Sequence, residues 1–377
     1  MYKLIQGMIA ALLTSAMASC ETEPSASSPP PVAPVSHTVA MGFTPWPADL
    51  TAAGVDRTYA FIHEHANLMA HHFDGGIPWD EALDGAPFPK HLREDWATRK
   101  SRTPEHFKTF VAVTPLDFDR TGLALAWTDA GDNKPLSPSW SDKSLNHPDV
   151  KRAYRNYVER VIAYFQPDYL AIGIEANIMV SKSPAAWDAY LDLNEHIYRA
   201  IKINHPDLPV FTTVQYEHLR GIEDESKRHA GLQIAAVTAL MRHSDLMALS
   251  TYKFGDFHPN PMSSDYFEVA ETFDKPIAIA EFGAMSAPVR IFGTRLPANE
   301  AGQARFVAGV LDYAVQNQVP FVVNWVAVDF DPMIKKLPSA MDEIAKAWVH
   351  TGLQDANGDA KTALEVWTAY LAAHHSP

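Results

Sequence analysis

This chain has little cysteine, little positive charge and few long apolar runs. Cys20 is its one cysteine among 377 residues, so no disulfide can brace the fold from within. Lysine and arginine number 31 against 45 acidic residues, a formal charge of -14. That balance disfavours nucleic acid and anionic lipid as partners and suits a neutral substrate. Beyond the N-terminus no apolar run is long enough to span a bilayer. Gly42-Phe43-Thr44-Pro45 follows the first apolar run in place of the glycine-rich turn of a dinucleotide fold. No Gly-x-Ser-x-Gly elbow and no phosphate-binding P-loop occurs, and neither an internal repeat nor a second domain can be discerned.

What is present describes a globular protein, 47% hydrophobic and 11% aromatic. It begins with a targeting pattern: Lys3, an apolar stretch from Ile5 to Ala18, then Met17-Ala18-Ser19-Cys20. This run resembles a bacterial lipoprotein signal, which implies cleavage before Cys20 and lipidation of its thiol. Ordinary export with cleavage after Ala16-Met17-Ala18 is the other reading. Residues 21–38 are rich in Pro, Ser and Ala and cannot bury a core. They read as a tether, with one catalytic-sized domain over 39–377. The expected location is the cell envelope, with the lipid as the one membrane contact and a monomeric domain beyond it.

From Val39 onward eight short apolar runs alternate with helical patterning. They are Val39–Phe43, Asn67–His71, Thr109–Val113, Tyr169–Ile174, Val210–Val214, Leu246–Thr251, Ile277–Ala280 and Phe321–Trp325. Apolar positions three and four apart predict helices over Arg152–Phe165, Ala185–Asn204 and Glu300–Gln316. Proline-containing turns such as Gln166-Pro167-Asp168 and Lys275-Pro276 end helices and release the chain into strands. Eight such units predict an α/β fold, a (β/α)8 TIM barrel, ahead of an open doubly wound sheet. The longest insertion, Thr114 to Pro148, carries Phe118, Trp127 and Trp140.

Two glutamates close two of these runs: Glu175 the fourth, Glu281 the seventh. The carboxyl edge of a barrel is where reacting side chains gather, and two carboxylates there are the minimum equipment for glycoside hydrolysis. Around them, strand ends offer His71, His72 and Asp74 after the second run, Tyr252 after the sixth and Trp325 at the eighth. Trp46 and Trp140 lie in flanking loops. An aromatic face suits the apolar face of a pyranose.

This layout resembles clan A glycoside hydrolases, the retaining barrels with an acid/base after strand four and a nucleophile after strand seven. The resemblance implies Glu175 as acid/base, Glu281 as nucleophile, Tyr252 as the nucleophile's hydrogen-bond donor and Trp325 as the floor of the sugar site. Within the clan, His71-His72-Phe73-Asp74, Ile172-Gly173-Ile174-Glu175 and Leu249-Ser250-Thr251-Tyr252 are similar to glycoside hydrolase family 53, the arabinogalactan endo-β-1,4-galactanases. Clan members carry asparagine directly before the acid/base; here that position is Ile174, and Asn177 is a candidate for its contact with the sugar 2-hydroxyl. The implied activity is hydrolysis of a β-linked polysaccharide or oligosaccharide with no cofactor and no metal. Glu175 is expected to start protonated, its pKa raised by ionised Glu281. His63, Glu64 and His65 fall on the first helix, away from the pair, and Lys253 after the sixth run is the one candidate for Schiff-base chemistry. A tethered, non-catalytic carbohydrate-binding barrel is the alternative.

Overall fold

The computed structural model describes residues 35–221, 230–252, 262–337, 343 and 345–375. Cys20, most of the tether and Lys253 lie outside the described residues.

Each apolar run becomes a parallel strand. β1 (Ala40–Thr44), β2 (Leu68–Phe73) and β3 (Lys108–Val113) pair in succession. The insertion after β3 folds in part as an antiparallel hairpin of β4 (Ala126–Thr128) and β5 (Gly131–Lys134). The barrel resumes with β6 (Tyr169–Ala171), β7 (Val210–Phe211), β8 (Thr213–Gln215), β9 (Met247–Tyr252) and β10 (Ile277–Gly283). A second hairpin, β11 (Val289–Ile291) and β12 (Thr294–Leu296), precedes the last barrel strand, β13 (Phe321–Val326). β7 pairs with β6 and β8 pairs with β9, while β13 pairs with both β1 and β10. β7 and β8 are two halves of one rail interrupted at Thr212. The nine strands therefore occupy eight positions around a nearly closed barrel, as the pattern predicted.

Two apolar layers hold it. Inside, Phe110, Phe211 and Phe321 pack with a ring of alanines including Ala70, Ala112, Ala171, Ala248 and Ala278. Tyr169 stacks on Phe321 at 4.5 Å between centroids. Outside, the opposite strand faces meet the helices in the larger core. Large rings can meet across the barrel axis only where their neighbours are small, which is why this interior is a packed core and not a pore.

The helices start and stop on local chemistry. In α1 (Ala52–His65) Thr51 Oγ1 accepts from the Gly54 N–H at 3.1 Å. α2 (Pro148–Phe165) begins on proline and ends at Gln166, whose φ of 51° is left-handed, just before Pro167. α3 (Pro184–Asn204) and α4 (Glu300–Gln316) fall where the periodicity placed them, and α5 (Thr362–Ala373) closes the ring. Ser36 and His37, assigned above to the tether, belong to the folded domain. His37 is buried and its Nε2 lies 2.9 Å from the Tyr370 carbonyl, on α5.

Candidate active site

Regular alternation does not run through to either glutamate. Ala171 and Ile174, three positions apart, both belong to the interior cluster, so the alternation has already broken before Glu175. Glu175 sits in the left-handed region, φ 48° and ψ 40°, and turns over the mouth. Such a conformation costs a non-glycine residue roughly 1–3 kcal/mol unless neighbours impose it. Here the neighbours are named. Thr213 Oγ1 accepts from the Glu175 N–H at 2.8 Å, and the Ile174 carbonyl accepts from Arg120 Nε at 2.9 Å.

Glu281 is re-aimed differently. Along β10, Ile279 is opposite Leu249 and Glu281 is opposite Ser250, so two residues of β10 span one step of β9. This bulge places Ala280 and Glu281 on one side, where strict alternation would separate them. Both barrel carboxylates thus come to the same mouth.

Ser250 stands between them. Its hydroxyl donates to Glu175 Oε1 at 2.6 Å and lies 3.4 Å from Glu281 Oε2. The facing carboxylate oxygens can be no further apart than those two legs end to end. That falls short of the roughly 6.5–9.5 Å separation that accommodates a water in an inverting glycosidase, and suits a pair roughly 5–5.5 Å apart. Tyr252 Oη donates to Glu281 Oε2 at 2.7 Å. Arg120 Nη2 approaches Glu175 Oε2 at 3.4 Å. His72 Nε2 comes within 3.2 Å of Glu281 Oε1 without meeting the geometry of a hydrogen bond.

Burial decides the charges. Glu281 is pushed up to about 8, first by desolvation and then by the Glu175 charge, against the pull of Tyr252 and Arg120. His72 is pushed down to about 4, chiefly by burial, so at neutral pH it is uncharged. The Tyr252 hydroxyl is held far above its ordinary range by burial and by Glu281, and remains a donor. Glu281 is the more enclosed of the two carboxyl groups, 7% exposed against 18%, and that enclosure is the first cause of its rise. Two carboxylates in contact through one hydroxyl titrate as a pair, and the rise on Glu281 keeps a proton on its carboxyl at neutral pH.

The aromatic wall rises on the β13 side. Trp325 and Trp46 lie 5.1 Å apart, Trp325 and Trp348 6.1 Å, and Trp348 meets the Tyr252 ring edge-on at 5.7 Å. The indole N–H groups of Trp46 and Trp325 are buried and bond to nothing among the described residues. A sugar hydroxyl is the kind of group that would accept from them. Asp74 is exposed at the rim, near enough that its charge acts on both His72 and Glu281.

Three sequence candidates lie elsewhere. His71 is fully buried on the opposite face of β2, 2.9 Å from Thr103 Oγ1 and packed on Phe165. One step along a strand changes the face, so His72 enters the mouth and His71 cannot. Asn177 is also fully buried. Its amide donates to the Gln215 carbonyl and to Gln233, and its oxygen accepts from the Gln215 N–H at 2.8 Å. It joins the Glu175 turn to β8 and has nothing left for a sugar. Trp140 stacks on Trp79 at 5.2 Å and its N–H donates to Asp80, making it a core ring of the insertion.

Four residues of the site went unread: Ser250, Arg120, Trp348 and Glu217. Ser250 had a signal, since it lies two positions before Tyr252 on an alternating strand. Arg120 and Trp348 come from loops, where sequence carries no register. Glu217 is a further buried carboxylate, behind the strand that presents Ser250 and Tyr252. It accepts from Thr251 Oγ1 at 2.5 Å, Tyr266 Oη at 2.9 Å and Gln215 Nε2 at 2.9 Å. Burial raises it to about 7.

Asp329, Asp331 and His350 offer ligand atoms within 4.8 Å of one another. The buried ammonium of Lys361 lies 2.7 Å from Asp329 and already supplies the cation. The group ties the segment after β13 to the start of α5, with the Asp329 charge matched by Lys361.

The sequence matches no family model and no curated protein. Solved structures do match in fold. An exo-beta-1,4-mannosidase, Op5Man5 from Opitutaceae bacterium strain TAV5, superposes with a TM-score of 0.61 at 14% identity, over 90% of this chain and 60% of that one. A GH5_18 from Bifidobacterium longum subsp. infantis gives 0.59 at 12% identity, over 90% and 79%. A GH10 xylanase from Thermobacillus composti gives 0.52 at 13% identity, over 88% and 96%. The chain spans three-fifths of the mannosidase's length. At such identities the likeness establishes the barrel these glycoside hydrolases share.

Proposed function

We propose that the protein is a retaining glycoside hydrolase acting on a β-linked glycan, with Glu281 as nucleophile and Glu175 as acid/base. The observation that carries this is the Ser250 hydroxyl in contact with both carboxylates, which sets a separation too short for an intervening water. Glu281 attacks the anomeric carbon while Glu175 protonates the leaving oxygen. Water, deprotonated by Glu175, then releases the sugar from Glu281. Tyr252 steadies the nucleophile and Trp325 lies under the ring. The fold shared with mannosidase and xylanase structures supports this reading. The strand-end motifs favour an endo-β-galactanase within it.

The test is a polysaccharide panel, galactan, mannan, glucan and xylan, read by reducing sugar, with the first anomer released followed by proton NMR. Retention on any one supports the proposal. Inversion, or no turnover on glycans and aryl glycosides alike, overturns it.

We further propose that the domain is a monomer held at the cell envelope by a lipid on Cys20. The position of that cysteine between an apolar segment and a Pro/Ser-rich stretch supports this. Cys20→Ala expressed in a bacterial host should move the protein from the membrane to the soluble fraction. Equal partition of both forms would reject the anchor.

A further inference from the structure

The reaction above needs its proton on Glu175 and its charge on Glu281. Enclosure instead keeps a proton on Glu281, first through desolvation of its carboxyl. The structure also contains the means of exchange. A hydroxyl carries one proton and accepts another. Ser250 Oγ spends its proton on Glu175 Oε1 at 2.6 Å, leaving its lone pairs toward Glu281 Oε2 at 3.4 Å. Ser250 is fully buried on β9, and no other partner for its hydroxyl is seen among the described residues.

We propose that Ser250 relays a proton between the two carboxyl groups, giving Glu281 a path to pass its proton to Glu175, so that Glu175 becomes the acid and Glu281 the anion. Glu281 gives its proton to Ser250 Oγ while Ser250 gives its own to Glu175 Oε1. One O–H bond breaks on Glu281 and one on Ser250; one forms on Ser250 and one on Glu175. The hydroxyl is regenerated and no electron is transferred. Ser250 touches neither reacting atom of the sugar in this scheme and acts as a positioning residue through the pair.

The arrangement has a consequence for titration. Ser250 donates to one carboxylate and accepts from one carboxylic acid, so it stabilises the singly protonated pair over both the doubly protonated and the fully ionised states. It spreads the two apparent pKa values of the pair. Among the described residues, other charged or titratable groups face the same space. They are His72 and Asp74 from β2 and its exit, Arg120 from the loop after β3, Tyr252 from β9, and Glu217 beneath β9. None of these bridges both carboxylates, so removing the serine hydroxyl leaves their influence in place.

This inference rests on the glycosidase reading for its purpose but is tested without it. The free protein is labelled with carbon-13 at the glutamate carboxyl carbons, and Glu175 and Glu281 are titrated by NMR in wild type, Ser250→Ala and Ser250→Thr, with melting temperature as a control for folding. The relay predicts that the gap between the two apparent pKa values shrinks by about one unit or more in Ser250→Ala. It predicts that Ser250→Thr, which keeps the hydroxyl, retains the wild-type gap. Where turnover is found, the bell of kcat/KM against pH narrows from both limbs in the alanine variant, whereas mere misplacement lowers its height alone. An unchanged gap in Ser250→Ala, or a gap lost equally in Ser250→Thr, overturns the relay. A narrowed gap in a protein that hydrolyses nothing keeps the relay and overturns the glycosidase.

Discussion

Glu175 stands after a three-residue strand, turned by a left-handed backbone and flanked by an arginine and the edge of solvent. Glu281 stands inside a seven-residue strand, turned by a bulge and enclosed by Tyr252, His72 and Ser250. The residue type is the same and the mouth is shared. The surroundings set them apart: one side supplies positive charge and some water, the other a neutral imidazole, a phenol and little solvent. A pair of identical side chains acquires two roles when environment, not composition, separates their proton affinities.

Removing either carboxyl should break the comparison outright. Glu175→Ala and Glu281→Ala are each expected to lower turnover of an unactivated glycan at least a thousandfold, roughly the upper range for one acid/base or nucleophilic group. On an aryl glycoside with a good leaving group the two should part. Glu175→Ala keeps its first step, and azide rescues the second; Glu281→Ala has no retaining route. Kinetics with and without azide check this, and full activity in either variant contradicts it.

The aromatic residues offer the same contrast at the level of packing. Trp140, buried on Trp79, should cost about 3–5 kcal/mol of stability as Trp140→Ala, with kcat/KM per folded molecule little changed. Trp325→Ala should do the reverse. About tenfold in activity is expected, from stacking worth roughly 1–1.5 kcal/mol, with a small change in melting temperature. Denaturant unfolding and steady-state rates on both variants decide. Unfolding of Trp325→Ala would make that ring part of the core.

The smallest effect is a pH signature of the enclosed side. Glu281 has a folded-state pKa raised above its unfolded value. The folded state is therefore favoured by the protonated carboxyl at low pH, and that contribution is lost as pH rises from about 4.5 toward 8. Glu281→Gln, neutral throughout, should gain melting temperature relative to wild type above pH 8 and change little near pH 4. An equal shift at both pH values would show that the charge is not what the enclosure penalises.

Much of this was readable along the chain. Eight apolar runs separated by helical periodicity are enough for a barrel, because parallel strands buried on both faces carry no polar alternation and the helices between them do. The helix ends followed too, since proline and capping side chains act within a few residues. Glu175 and Glu281 were visible as strand-end carboxylates. Their directions were not. Alternation from Ala280 would have turned Glu281 outward, and on the fourth strand it breaks at Ile174; the turn of Glu175 held by Thr213 and the bulge opposite Ser250 bring the two together. The same limit explains His71 and Asn177: a polar residue near a strand end can face the mouth or the helices, and one step of register decides. Arg120 and Trp348 belong to loops and Trp140 to a short helix of the insertion, and the positions of such segments depend on what they pack against. Periodicity in sequence therefore determined the barrel and the neighbourhood of its chemistry. The contact of two carboxylates through one serine was decided by tertiary structure, because it joins residues 75 and 31 positions apart through backbone irregularities that no local pattern encodes.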